Sequence, residues 1–250
     1  MTTAHNINLW AQGFIPIRYP TVNKTLYWVG SDSEENFLKN PRPGYTKTSI
    51  TYIYNTQGYR TKEFELTSPN PNILCLGCSH TEGVGLRNED VWVSQILNQF
   101  LDYNVYNLGF GGGSGDTVTR TLVNCCSIFQ PKKVFILWPY ISRFETYSFD
   151  ERNSSGYPKL NFNLSDDINR SNIHLYDKIQ LKANLDKNQA LVNAYKQIYG
   201  FELYEMYADD LIFNNNFLNL ASIDKARDNH YGPAQHKRIA EMFLQQMNAN

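Results

Sequence analysis

A chain of 250 residues that is 42% hydrophobic and 14% aromatic can bury a full-sized core, which excludes an intrinsically disordered protein. A formal net charge of −1, with no long run of lysine and arginine, leaves no electrostatic footprint for nucleic acid. No apolar run approaches the roughly 18 residues of a membrane-spanning helix, so no membrane partner is expected.

Residues 1–8 lack a basic stretch followed by an apolar one, so no signal peptide and a cytoplasmic location are expected. Residues 1–70 read as an extension of irregular structure and hairpins. Residues 49–54 have strand composition, 55–58 form a turn, and 59–64 return. Pro69 and Pro71 then break the chain.

Residues 71–250 alternate in type and form the main domain. The short apolar run 72–78 suits a strand buried on both faces. Residues 90–101 carry Val91, Val93, Ile96, Leu97 and Phe100, a pattern that predicts a helix. A second strand is expected at 105–108, a helix at 116–129 ahead of Pro131, and a third strand at 134–138. Residues 140–173, polar and aromatic, read as a lid-like insertion. A helix over 174–199, a strand over 201–207 and a final amphipathic helix opening at Gly232 or Pro233 complete the chain. Strands alternating with helices predict an α/β fold with a central parallel sheet between two helical layers.

Cys75 and Cys78 form a C-x-x-C, but they sit in an apolar strand, and the adjacent Cys125 and Cys126 cannot supply a second such pair. Buried free thiols and no metal or other cofactor are expected.

Ligands of parallel α/β sheets bind beyond the carboxyl ends of the strands, and three motifs fall there. Ser79 follows the first strand and Gly77, so its hydroxyl can be presented at the sheet's edge. The run 107–116, from Asn107 through Gly109, Gly111, Gly112, Gly113 and Gly115 to Asp116, lies between strand two and a helix. There backbone amides can face a ligand closely. Its spacing does not fit a dinucleotide fingerprint. Asp228 and His230 stand just before the last helix.

Together these blocks resemble the SGNH (GDSL-like) hydrolase family over roughly residues 72–248, and are most similar in character to SGNH-like proteins of tailed phages. The resemblance implies a three-layer, flavodoxin-like α/β/α fold and ester hydrolysis without a cofactor. Ser79 would be the nucleophile, His230 its base and Asp228 the orienting acid. The amides of Ser79 and Gly112 would bind the oxyanion. The substrate would be a small-molecule or glycan-linked ester. An acyltransferase, or a non-catalytic module that binds glycan or a virion partner, shares the same blocks, and the latter would place the protein in a virion.

The chain departs from the pattern at three points. Cys78 replaces an aspartate. Ile141 falls where an asparagine would donate to the oxyanion, with Ser142 beside it. The position three before His230 is Arg227, so the acid is one residue closer. The first of these leaves the nucleophile's neighbours changed. The second predicts slow turnover that Ile141→Asn should raise. His236, inside the last helix, is expected on that helix's surface. Arg143 and Glu145, near the end of the third strand, are expected either to pair structurally, the favoured reading, or to touch substrate.

Overall fold

The computed structural model describes residues 13–145, 162–163, 178–208, 224–228 and 230–249. Its centre is a four-stranded parallel sheet of β3 (Asn72–Gly77), β4 (Asn104–Asn107), β5 (Lys133–Trp138) and β8 (Glu202–Tyr207), in the spatial order β4-β3-β5-β8. The two central strands are apolar almost throughout because both of their faces are covered.

Alternate residues of each strand point to opposite layers. Ile73, Cys75, Phe135 and Leu137 meet Trp92, Ile96, Ile239 and Phe243 from α3 (Trp92–Leu97) and α6 (Pro233–Asn248). Leu74, Leu76, Val134 and Ile136 meet Val118, Leu122, Leu185 and Val192 from α4 (Gly115–Phe129) and α5 (Lys178–Tyr199). The result is the expected α/β/α sandwich. Each fully buried side chain of this size contributes about 1.5–3 kcal/mol relative to exposure.

Local chemistry sets the helix ends. Ser114 caps α4 by accepting from the Thr117 amide at 3.3 Å, and the Thr117 hydroxyl accepts from the Ser114 amide at 3.1 Å. Gln130, at φ +41°, closes its C-terminus ahead of Pro131. Pro233 opens α6, where the Ala234 amide donates to Asp224 and the Gly232 amide to Gln235.

The N-terminal segment contains an antiparallel strand pair, but its partners differ from the sequence pattern. β2 (Tyr52–Ile53) pairs with β1 (Thr25–Leu26), upstream, and not with the returning residues 59–64. The turn at 55–58 does form, with the Asn55 side chain accepting from the amides of Gln57 and Tyr59. Phe64 packs instead on Tyr106 and Phe129, so burial outcompetes pairing there.

The expected insertion 140–173 lies largely outside the described residues. Within it, β6 (Arg143–Phe144) pairs antiparallel with β7 (Phe162–Asn163). Residues 1–12 also lie outside. No helix among the described residues is long and apolar enough to cross a membrane.

Candidate active site

The carboxyl end of β3 runs into α2 (Ser79–Glu82), a single turn. Gly77 makes that turn possible. A Cβ there would lie 2.0 Å from the Thr81 Oγ1 and 2.8 Å from the Leu137 carbonyl oxygen. Ser79 emerges at this corner with 5% of its surface exposed.

The strand-ends bring Ser79 together with two residues about 150 positions away. The Ser79 Oγ lies 2.7 Å from the His230 Nε2, and the His230 Nδ1 lies 2.6 Å from the Asp228 Oδ2. The other Asp228 oxygen accepts the His230 amide at 3.0 Å. The three residues thus form one hydrogen-bonded chain: hydroxyl, imidazole, carboxylate. The His230 side chain is 18% exposed against 5% for Asp228, so the carboxylate is the screened end.

Burial alone would raise the Asp228 pKa. The hydrogen bonds and charge of His230, with a bond from Ser31, outweigh it and hold the carboxyl below its usual range. Ser31 Oγ donates to the same Oδ2 at 2.7 Å. Gly85, at φ +80°, lets the carboxylate come close, since a Cβ there would lie 2.5 Å from the Asp228 Oδ1.

The short spacing between acid and histidine has a structural explanation. Arg227 is fully buried and pairs with Asp32, through Nε at 2.8 Å and Nη2 at 2.6 Å. It also donates to the carbonyls of Tyr27, Thr46 and Lys47 and stacks 3.8 Å from the Trp28 ring. Arg227 fastens the N-terminal segment under the loop, and Asp228 points toward the histidine.

Against α2 lies the glycine-rich loop. Glu82 is buried and accepts the Gly111 amide at 2.5 Å, the Tyr54 hydroxyl at 2.7 Å and Arg18 Nη2 at 3.2 Å. Asn107 donates to the Thr81 carbonyl at 2.7 Å and accepts the Gly109 amide at 2.9 Å. Gly109 must be glycine here, because a Cβ would lie 2.3 Å from the Glu82 amide. Two side chains therefore tie the loop to α2. Among the described residues the amides of Ser79 and Gly112 have no protein acceptor. Gly112 lies at φ +75°, with open space where a Cβ would stand.

Two expectations need correction. His236 is not on the surface of α6. It is 1% exposed and its Nδ1 accepts the Trp92 amide at 3.2 Å, at the start of α3. Burial and the charges of His230 and Arg60 push its pKa down to about 3. Arg143 and Glu145 do not pair with each other. Glu145 is buried against Arg120, at 2.8 Å, and accepts from Thr117, while Arg143 lines a cavity. Ile141 packs against the core cluster on the α4–α5 side, so it is Tyr140 and Arg143 that reach the cavity.

The sequence reading missed His80, Glu82 and Ser31. His80 is buried, stacks on Tyr231 at 4.0 Å and meets the His230 ring edge-on at 5.0 Å. Burial first, then His230 and His236, hold it well below the usual histidine range, so it stays neutral beside His230. Its place directly after Ser79 was the available signal. Ser31 had none, being 197 residues from its partner.

The four cysteines are unbridged and buried. Cys75 faces the α3–α6 layer and Cys125 and Cys126 the α4–α5 layer, so the sheet separates them. Among the described residues no group of three histidine, cysteine or acidic side chains is arranged to hold a metal.

No protein-family model and no curated protein matches the chain. Solved structures do resemble it. TesA is 14% identical with a TM-score of 0.38, covering 70% of this chain and 96% of its own. A lipase/acylhydrolase from Enterococcus faecalis is 12% identical with a TM-score of 0.37, covering 72% and 96%. A member of the lipolytic G-D-S-L family from Veillonella parvula is 13% identical with a TM-score of 0.33, covering 70% and 96%.

Proposed function

We propose that this protein is a serine-dependent ester hydrolase of the SGNH type. The observation that carries the reading is the continuous chain Ser79 Oγ, His230, Asp228, at 2.7 and 2.6 Å.

In this reading Ser79 Oγ attacks the ester carbonyl carbon while His230 Nε2 takes its proton. Asp228 holds the Nδ1–H tautomer and stabilises the imidazolium that forms. The amides of Ser79 and Gly112 stabilise the negative charge on the tetrahedral oxygen. The C–O bond breaks, and the alcohol leaves with the proton from His230. Water then attacks the acyl-serine, His230 again accepting a proton, and the carboxylic acid is released with Ser79 restored. Glu82 and Asn107 act as positioning residues for the loop that carries Gly112.

A fluorophosphonate probe is expected to label the wild-type protein and not Ser79→Ala. Release of an aryl alcohol from a short-chain aryl ester should disappear in Ser79→Ala and His230→Ala. Equal labelling of wild type and Ser79→Ala overturns the assignment.

A further inference from the structure

His230 and Asp228 line a cavity of about 430 Å³, within the size range of small-ligand sites. Its described lining is cationic. Lys39 and Arg42 come from the N-terminal segment, and Arg143 comes from β6. The acidic side chain that lines it, Asp228, is already engaged by His230 and Ser31. A fourth cation, Arg227, is neutralised by Asp32.

Arg143 differs from the others. Its guanidinium lies 5.2 Å over the Tyr140 ring, and its Nη1 is buried with no hydrogen-bond partner among the described residues. A buried donor left unpaired is costly, and a ligand atom that accepts from it removes that cost. Tyr140 in turn meets His80 edge-on at 6.0 Å, and His80 meets His230 at 5.0 Å. Arg143 is therefore joined to the imidazole through two rings along one wall of the cavity. Lys39 pairs with Glu35 at an exposed position and adds only a screened field, so the anchor is Arg143.

We infer that the substrate is an ester that also carries a free carboxylate, which the Arg143 guanidinium receives in the cavity beside His230. The planar fork of arginine matches a carboxylate with two parallel hydrogen bonds. The inference rests on the ester-hydrolase reading for its reaction, but the anion site can be tested without turnover.

The test uses two matched pairs of esters: the 4-nitrophenyl esters of butyrate and of glutarate (hemiester), and phenyl acetate against 4-acetoxybenzoate. They place the carboxylate on the acyl and on the alcohol side. In at least one pair the carboxylate ester is expected to have a kcat/KM about ten-fold or more above its neutral partner. Arg143→Gln should lower the anionic ester about ten-fold more than the neutral one, and Arg143→Lys should restore part of the ratio. The preference should shrink as ionic strength approaches about 1 M, a measurement on the wild-type protein that needs no variant.

Calorimetric titration of Ser79→Ala with monomethyl glutarate supplies the second readout, with binding expected and lost in the Ser79→Ala, Arg143→Gln double variant. Neutral and anionic esters turned over alike in both pairs, with no binding in calorimetry, overturn the anion site while leaving probe labelling of Ser79 intact. Arginine-dependent binding without turnover or labelling would instead sustain the site and overturn the esterase reading.

Discussion

Asp228→Asn tests the central arrangement most directly. The carboxylate takes three hydrogen bonds at 2.6, 2.7 and 3.0 Å, from His230 Nδ1, Ser31 Oγ and the His230 amide. An asparagine fits the same space but carries no charge. It also offers an NH2 group, which can donate to Nδ1 and drive the proton to Nε2. The imidazole would then present a donor to Ser79 and could not accept its proton. Loss of the acid's charge and of the correct tautomer together cost about 10⁴ in kcat in a serine–histidine–aspartate site, or about 5 kcal/mol of transition-state stabilisation. The assay is steady-state hydrolysis of a short 4-nitrophenyl ester, with urea unfolding to confirm that the variant folds. Ser31→Ala is the graded control: it removes one donor to the same oxygen and keeps the charge, so a loss of about ten-fold or less is expected. An Asp228→Asn variant that folds and keeps more than about a tenth of wild-type kcat would refute the role given to Asp228.

Gly85→Ala places a Cβ 2.5 Å from the Asp228 Oδ1 at a φ of +80°, so it should lower kcat and cost on the order of 1–3 kcal/mol in urea unfolding. Arg227→Ala removes one half of a fully buried ion pair and leaves Asp32 unpaired, for an expected loss of about 3–5 kcal/mol by the same method. Ile141→Asn should cost about 1–3 kcal/mol without raising turnover, because the partly buried side chain packs against the core; a clear gain in kcat would support it as a missing oxyanion donor. For pH, His80 and His236 are held neutral, below the unfolded value near 6.5. Their stability contribution is therefore complete above that value and lost as pH falls from it, His236 titrating down to about 3, at about 1.4 kcal/mol per pH unit for each. Urea unfolding at about pH 7 and about pH 5 should show the loss, and a shallower slope for His236→Asn, which keeps an acceptor for the Trp92 amide; identical slopes would count against the assignment.

Much of the layered fold was legible in the sequence, because its signals are local. The apolar runs of β3 and β5 and the Pro233 helix start each act within a few residues. The strand end that carries Ser79 and the loop that carries His230 were legible for the same reason: one follows a buried strand and the other precedes a helix. The tertiary structure alone decided the contacts between distant segments. Nothing near Arg227 shows that Asp32, 195 residues earlier, neutralises it and leaves Asp228 to orient the histidine. Nothing in the periodicity of α6 shows that His236 turns inward to accept the Trp92 amide, 144 residues away. Nor does the sequence place Ser31 on Asp228. Strand and helix patterns arise from the chain's own repeat, whereas the partner of a buried charge is whichever group the packed layers bring within about 3 Å.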